Sequence, residues 1–313
     1  MKIYLCTDME GASGVTMRSE IEPNKERYEF GRRMLTRDVA AAVEGLKAGG
    51  ATRIVVLDGH GGGDNFLYDE LPAGAEYICG RGGDPIPFLD DSFDAVGFVG
   101  QHSMAGTPDA VWPHTQSWTD VLGVWANGRE IGEIGQFAIY AGHYNLPVIF
   151  LSGDRAACAE VRALCGDVQT VAVKQACSPT RALCLSRAEA DKAIYEAARE
   201  SARGTIRTAP CTVEVPVEIR VRFTKTSLAD GCVQTGAERV DEAATKHRRF
   251  TRVPPQDSGQ PRRPPPPNPV RKGSIVRDVP RIRSDCTPLA LVDTRVYRRS
   301  SLPPVCLRQE SVW

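Results

Sequence analysis

Apolar and polar positions follow two rhythms along this chain. Residues Lys2–Thr7 form a short, largely apolar run that breaks at Asp8. From 26 to 47, Phe30, Met34, Leu35, Val39, Val43 and Leu46 recur near helical spacing, and Gly49-Gly50 ends the predicted helix. The runs at 53–57 and 95–99 are apolar and rich in β-branched residues, as expected of parallel strands buried on both faces. Residues 123–125 predict a strand, Asn127-Gly128 a tight hairpin turn, and 130–131 the returning strand. Glu133 opens an amphipathic helix reaching about residue 141. A further buried strand at 146–151 ends at Ser152-Gly153-Asp154-Arg155, and 168–173 and 186–202 predict one more strand and a charged helix.

Strands alternating with helices of this length predict an α/β fold, a mostly parallel sheet with helices on both faces. Residues 213–223 alternate apolar with polar positions, the mark of a half-exposed strand in a smaller second α+β domain. The expected organisation is therefore an α/β domain over 1–205, the start of the second domain over 206–241, and a separate tail over 242–313.

Charge sharpens that division. Lys+Arg and Asp+Glu number 39 each, but from Lys246 onward there are 15 basic and 5 acidic residues, against 24 and 34 before it. An acidic body carries a basic tail. Residues 252–280 hold nine prolines, including the run 264–267, with no helical or strand period. The tail over 242–313 buries too little surface to offset its ordering entropy, so disorder or polyproline II is predicted for it. Two origins fit it: a shifted reading frame in the gene, or a genuine basic segment for nucleic acid or another acidic partner. A nucleic-acid partner is not the expectation. No apolar stretch approaches about 18 residues and the N-terminus enters a strand at once, which predicts a soluble cytoplasmic protein with no membrane partner. Ten cysteines lie scattered without a CxxC pair and are read as free thiols in a reducing compartment.

The chemistry gathers where the strands end. In open α/β sheets ligands bind beyond the carboxyl ends of the strands, and Asp8, His60, His102 and Asp154 all fall there. Asp8, Glu10, His60, His102, His114 and Glu133 make a set of imidazoles and carboxylates without thiolate, the donor mixture of a hydrolytic divalent-metal centre. Asp8 and Glu10 reach one cluster only if the backbone turns at Gly11. Each residue taken singly has a plainer account: solvated carboxylates at 8 and 10, a glycine-rich phosphate loop around His60, a surface turn at His114, a helix-dipole partner at Glu133. The phosphate loop lacks both the P-loop lysine and the GxGxxG spacing. His143, at a helix-ending turn, is given no role.

The stretches Thr7-Asp8-Met9-Glu10-Gly11, Asp58-Gly59-His60, the run 100–107 from Gly100-Gln101-His102, His114-Thr115 and Asn127-Gly128 through Gly132-Glu133 resemble the DppA-type zinc D-aminopeptidases over about residues 1–240. That resemblance implies a dizinc metallopeptidase acting on the N-terminal D-amino acids of short peptides. Its implied ligands for two Zn2+ ions are Asp8, Glu10, His60, His102 and Glu133, with Asp8 as the bridge. His114 is implied to be the catalytic residue outside the ligand set, as acid/base or nucleophile. Ring-shaped homo-oligomers, commonly decamers, are implied too. Asp154 and Lys174 are candidates for holding the substrate's amine or carboxylate. The rival readings are another dimetal amide or ester hydrolase, and a non-catalytic metal-binding protein with a basic interaction tail.

Overall fold

The computed structural model describes residues 1–249 apart from Thr205 and Thr235. The expectations for 250–313 therefore lie outside the described residues. In chain order the elements are β1 (Lys2–Thr7), α1 (Tyr28–Ala48), β2 (Arg53–Asp58), β3 (Glu76–Ile78), β4 (Ala95–Gln101), β5 (Val121–Ala126), β6 (Arg129–Glu130) and α2 (Glu133–His143). There follow β7 (Val148–Asp154), α3 (Arg155–Cys165), β8 (Gln169–Ser178), β9 (Arg181–Cys184), α4 (Arg187–Arg203), β10 (Val217–Phe223), α5 (Thr226–Gln234), β11 (Glu238–Asp241) and β12 (Ala244–Arg249).

Seven strands form the main sheet in the order β3-β2-β1-β4-β7-β8-β9, parallel except at the β8–β9 edge. Alternate residues of its strands feed two cores. Ile3, Leu5, Ile54 and Val56 pack on one face with Leu35, Val39 and Val43 of α1 and Ile194 of α4. Tyr4, Val55, Leu57 and Phe98 pack on the other with Ile134, Phe137 and Ala138 of α2 and Val161 of α3. Covering both faces is what lets β4 and β7 be buried along their whole length. The predicted α/β architecture is thus the observed one, and among the described residues no helix is long and apolar enough to cross a membrane.

A second sheet, entirely antiparallel, runs β11-β12-β10-β5-β6. Two expectations change here. The hairpin β5–β6, read from the sequence as part of the first unit, pairs with β10 through Ile219↔Ala126 and Val221↔Val124. A boundary at 205/206 therefore does not separate the two sheets. The chain also stays ordered past 241, because β12 pairs with β10 from Val217↔Arg249 to Arg222↔Ala244. A central β10 needs partners on both edges, and the polar run 244–249 supplies one through its backbone. The strand predicted over 213–223 begins only at Val217, after Pro216, which has no N–H for a ladder. Val124, Ala126, Val217, Ile219 and Val221 then close a third core against Ile131 and Ile139.

Helices α1 and α4 approach closely at Gly45, where a Cβ would overlap the carbonyl oxygen of Tyr195 and meet the Ala198 Cβ at 3.0 Å. Replacing Gly45 by Val should lower stability by about 1–3 kcal/mol, the usual cost of overpacking against backbone that cannot yield. Urea unfolding should show a lower midpoint with an unchanged slope; an unchanged midpoint would mean that the helices part at no cost.

Candidate metal centre

Asp8 is the first residue after β1, and its N–H still bonds to the Val99 carbonyl of the neighbouring strand at 2.9 Å. The chain then turns through Met9–Ala12, closed by the Ala12 N–H on the Met9 carbonyl and the Gly11 N–H on the Gly100 carbonyl. That is the turn the Asp8/Glu10 pairing requires. Gly100, at φ 74°, sits against the Asp8 carbonyl oxygen, leaving no room for a Cβ. The ends of β1 and β4 are pinched together, which sets Asp8, Glu10 and His102 side by side. Asp8, Glu10 and His102 are buried, whereas His60, His114 and Glu133 are partly exposed and face the open side.

The six predicted residues converge. Asp8 Oδ1 lies 2.9 Å from His60 Nδ1, and Asp8 Oδ2 lies 3.1 Å from His102 Nε2, so one carboxylate is divided between two histidines. Glu10 Oε2 is 3.0 Å from His60 Nδ1. Glu133 Oε1 is 3.6 Å from His102 Nε2 and 3.8 Å from His114 Nε2. Ligand atoms of Asp8, Glu10 and His60 lie within 4.8 Å of one another, and so do those of His102, His114 and Glu133. Sequence reasoning had placed His114 outside the ligand set; in space its ring stacks on His102 with centroids 4.0 Å apart at 12°.

Each imidazole is oriented by a backbone carbonyl. His60 Nε2 donates to the Ile21 carbonyl at 2.9 Å, His102 Nδ1 to Ser103 at 2.8 Å, and His114 Nδ1 to Trp112 at 2.9 Å. A carbonyl only accepts, so the remaining nitrogen of each ring carries a lone pair toward the carboxylates, or a second proton. Burial disfavours the charged form of His60 and His102, but Glu10 and Asp8 around the first, and Asp8 and Glu133 around the second, hold both well above the usual histidine range. Burial likewise opposes ionisation of Asp8 and Glu133, and the neighbouring histidines, His102 foremost, overcome it and hold both carboxyls below their ordinary values. The pocket demands positive charge.

A ring of residues that the sequence did not flag fixes these groups. Asn65 donates its backbone N–H and its Nδ2 to Asp58, both at 2.7 Å, and Nδ2 also reaches the His60 carbonyl at 2.6 Å, closing the glycine-rich loop. Gln101 Nε2 donates to Asp8 Oδ2 at 3.1 Å, and the Gln116 N–H to Glu133 Oε1 at 2.7 Å. Glu160 accepts the Met104 N–H at 2.8 Å, and burial pushes its carboxyl up to about 7. Only Gln101 and Gln116 sit beside recognisable motifs; nothing in the local pattern marks Asn65 or Glu160.

The structure gives Asp154 and Lys174 a task other than holding substrate. Asp154 is fully buried and accepts the N–H of Val111 at 2.9 Å and of Ala157 at 2.7 Å, capping α3 and tethering the chain ahead of His114. Lys174 Nζ spends three donors on the carbonyls of Glu10, Ala12 and Val15, at 2.5, 2.8 and 2.5 Å. Burial brings its amine down to about 8, although Asp154 and other acidic neighbours favour the charge. His143 ends α2 on the exposed side, outside the cluster.

Comparison with known proteins points one way. The family model described as D-aminopeptidase matches residues 1–251. A D-aminopeptidase of Bacillus subtilis (strain 168) is 35% identical over 201 residues, covering 63% of this chain and 72% of that protein. Among solved structures, the Zn-dependent D-aminopeptidase DppA from Bacillus subtilis, described as a self-compartmentalizing protease, is similar with a TM-score of 0.76 and 28% identity, over 79% of this chain and 91% of that one.

Lys174→Met should cost at least about 3 kcal/mol, because three buried carbonyls lose their donor at once. Chemical denaturation of the metal-free protein measures it; a loss under about 1 kcal/mol would show the turn after β1 to hold itself.

Proposed function

The chain belongs to the D-aminopeptidase family, and we propose that it is a two-zinc aminopeptidase releasing N-terminal D-amino acids from short peptides. One observation carries this reading. Three imidazoles, each anchored by one nitrogen to a backbone carbonyl, turn the other nitrogen onto carboxylate oxygens. Each of these nitrogens needs a proton or a cation between it and the carboxylate, and a histidine whose second nitrogen is fixed by a carbonyl is how metal ligands are oriented. Nitrogen and oxygen donors without thiolate suit zinc in a hydrolytic site.

In this reading Asp8, Glu10 and His60 would hold one zinc and His102 and Glu133 the other, with Asp8 shared between them. When bound, the two ions supply Lewis acidity and acidify a water near neutral pH. His114 keeps its Nδ1–H on the Trp112 carbonyl, so Nε2 is free to take a proton and return it to the leaving amine as the peptide C–N bond breaks. A nucleophilic role for the same nitrogen is the other chemistry open to it. The stacking of His114 on His102 and its place beside Glu133 favour a second reading, in which it is a further ligand. Preference for D-residues and assembly of several copies rest on the family and on the self-compartmentalizing relative. A cytoplasmic setting rests on the free state of the eight described cysteines.

Purified protein should carry about two zinc equivalents per chain and lose hydrolysis on chelation. Asp8→Ala should shed most of the metal, since two cations would face each other without the shared carboxylate; retention of both ions would remove Asp8 from the bridge. Turnover of D-alanyl peptides against L-peptides, esters and phosphoesters tests the substrate class, and a stronger activity on any of the latter would move the protein to another dimetal hydrolase.

His114→Ala should cut turnover by roughly 100-fold or more, within the range for a lost acid/base, with zinc content unchanged. Loss of one zinc makes His114 a ligand, and normal turnover removes it from the chemistry.

A further inference from the structure

Two loops meet beside His114, and the surface they build has no part in the chemistry above. One is the turn at 16–20, the other the segment 112–118. Trp112 Nε1 donates to the Thr16 carbonyl at 2.8 Å and fastens them together. Trp118 stands edge-on to Trp112, centroids 5.6 Å apart at 88°, and the Arg18 guanidinium lies 4.1 Å over the Trp118 ring.

This stack fills no core, because Trp118 is 45% exposed and the Arg18 side chain 51%. It is nonetheless built. Glu20, buried at 1%, accepts the N–H groups of Thr16 and Met17 at 2.8 and 2.9 Å and pairs with Arg27 at 2.8 Å, which sets the turn carrying Arg18. Glu22 takes the Arg18 Nε–H. On the facing loop, Trp112 and Gln116 hold φ of 50° and 65°, a conformation costly for residues with a Cβ. Four bonds enforce it: Val111 N–H to Asp154, Trp112 N–H to the Pro179 carbonyl, His114 N–H to the Ser103 carbonyl and Gln116 N–H to Glu133. Ordering an exposed arginine and two tryptophans this firmly costs side-chain entropy that no core burial returns.

Charge says what the surface fits. The surface presents a guanidinium whose plane is fixed on an indole and whose terminal N–H groups are left by the Glu22 contact on Nε. A held guanidinium fork is suited to a carboxylate. Trp118 is four residues from His114, at most roughly 14 Å along the chain, a span that a di- to tetrapeptide can cover.

We infer that Arg18, oriented on Trp118, binds the free C-terminal carboxylate of short peptide substrates and so selects unblocked short peptides; this rests on the aminopeptidase reading. Cleavage at the amino end puts that end of the substrate at the centre, and Arg18 then takes the carboxylate at the other end.

The test is steady-state kinetics on a D-alanyl tripeptide with a free carboxylate and on the same tripeptide as its C-terminal amide, for the wild type, R18Q and R18K. The wild-type zinc-loaded protein should prefer the acid by roughly 10- to 100-fold in kcat/KM, the worth of one charge-assisted pair, mainly through KM. In R18Q the acid-to-amide ratio should fall toward one, and R18K, a charge without the fork, should keep part of the preference. A wild-type ratio near one, or an R18Q variant that loses acid and amide in equal proportion, overturns the inference. Hydrolysis of neither tripeptide by the wild type is a different result, and it overturns the aminopeptidase reading together with this one.

Discussion

Positive charge is what the carboxylates gathered at the ends of β1 and β4 require. Asp8 alone faces two histidines with its two oxygens, and Glu10 and Glu133 crowd in from either side. Such a cluster of carboxylates in a buried place would be expelled or neutralised by protonation if nothing answered it. Here the answer is divided. His60 and His102 are held in the raised range, where they take up protons, and a divalent cation bound by the same nitrogens would displace those protons to water.

That cluster persists because the scaffold spends its strongest hydrogen bonds on it. The three imidazoles are turned by main-chain carbonyls, which are fixed by the sheet and its loops and cannot swing away as side chains do. Lys174 reaches from β8 to collect three carbonyls of the turn after β1. Asp154, at the end of β7, gathers the segment leading to His114, and Glu160 ties the chain after His102 to α3. Four strand ends therefore contribute to one small volume, which is the reason a parallel sheet suits the task.

The main sheet and the convergence of Asp8, His60 and His102 were legible in the sequence because strands buried on both faces are unbroken apolar runs, and their ends are marked by Asp or by Gly before His. The second sheet was not. The pairing of β5 with β10 joins residues some ninety positions apart, and no local pattern carries such a partner. The strand β12 is polar after Ala244 and pairs through its backbone, so hydrophobic periodicity passes over it. Lys174 was visible as a residue near a strand end, but a lysine's charge suggests substrate; only coordinates reveal that all three donors are taken. Asn65 and Glu160 are ordinary polar residues whose meaning comes wholly from what they touch.

The hairpin β5–β6 occupies the chain between His114 and Glu133, and its outer neighbour β10 comes from beyond residue 216. The smaller sheet is consequently not a detachable module. Cutting the chain after α4 would leave β5 with one bare edge and its apolar residues Val124 and Ala126 uncovered, an open template for pairing with another molecule. Loss of solubility and loss of the active geometry would then arrive together, since the segment that aggregates is the one that spaces the histidine from the glutamate.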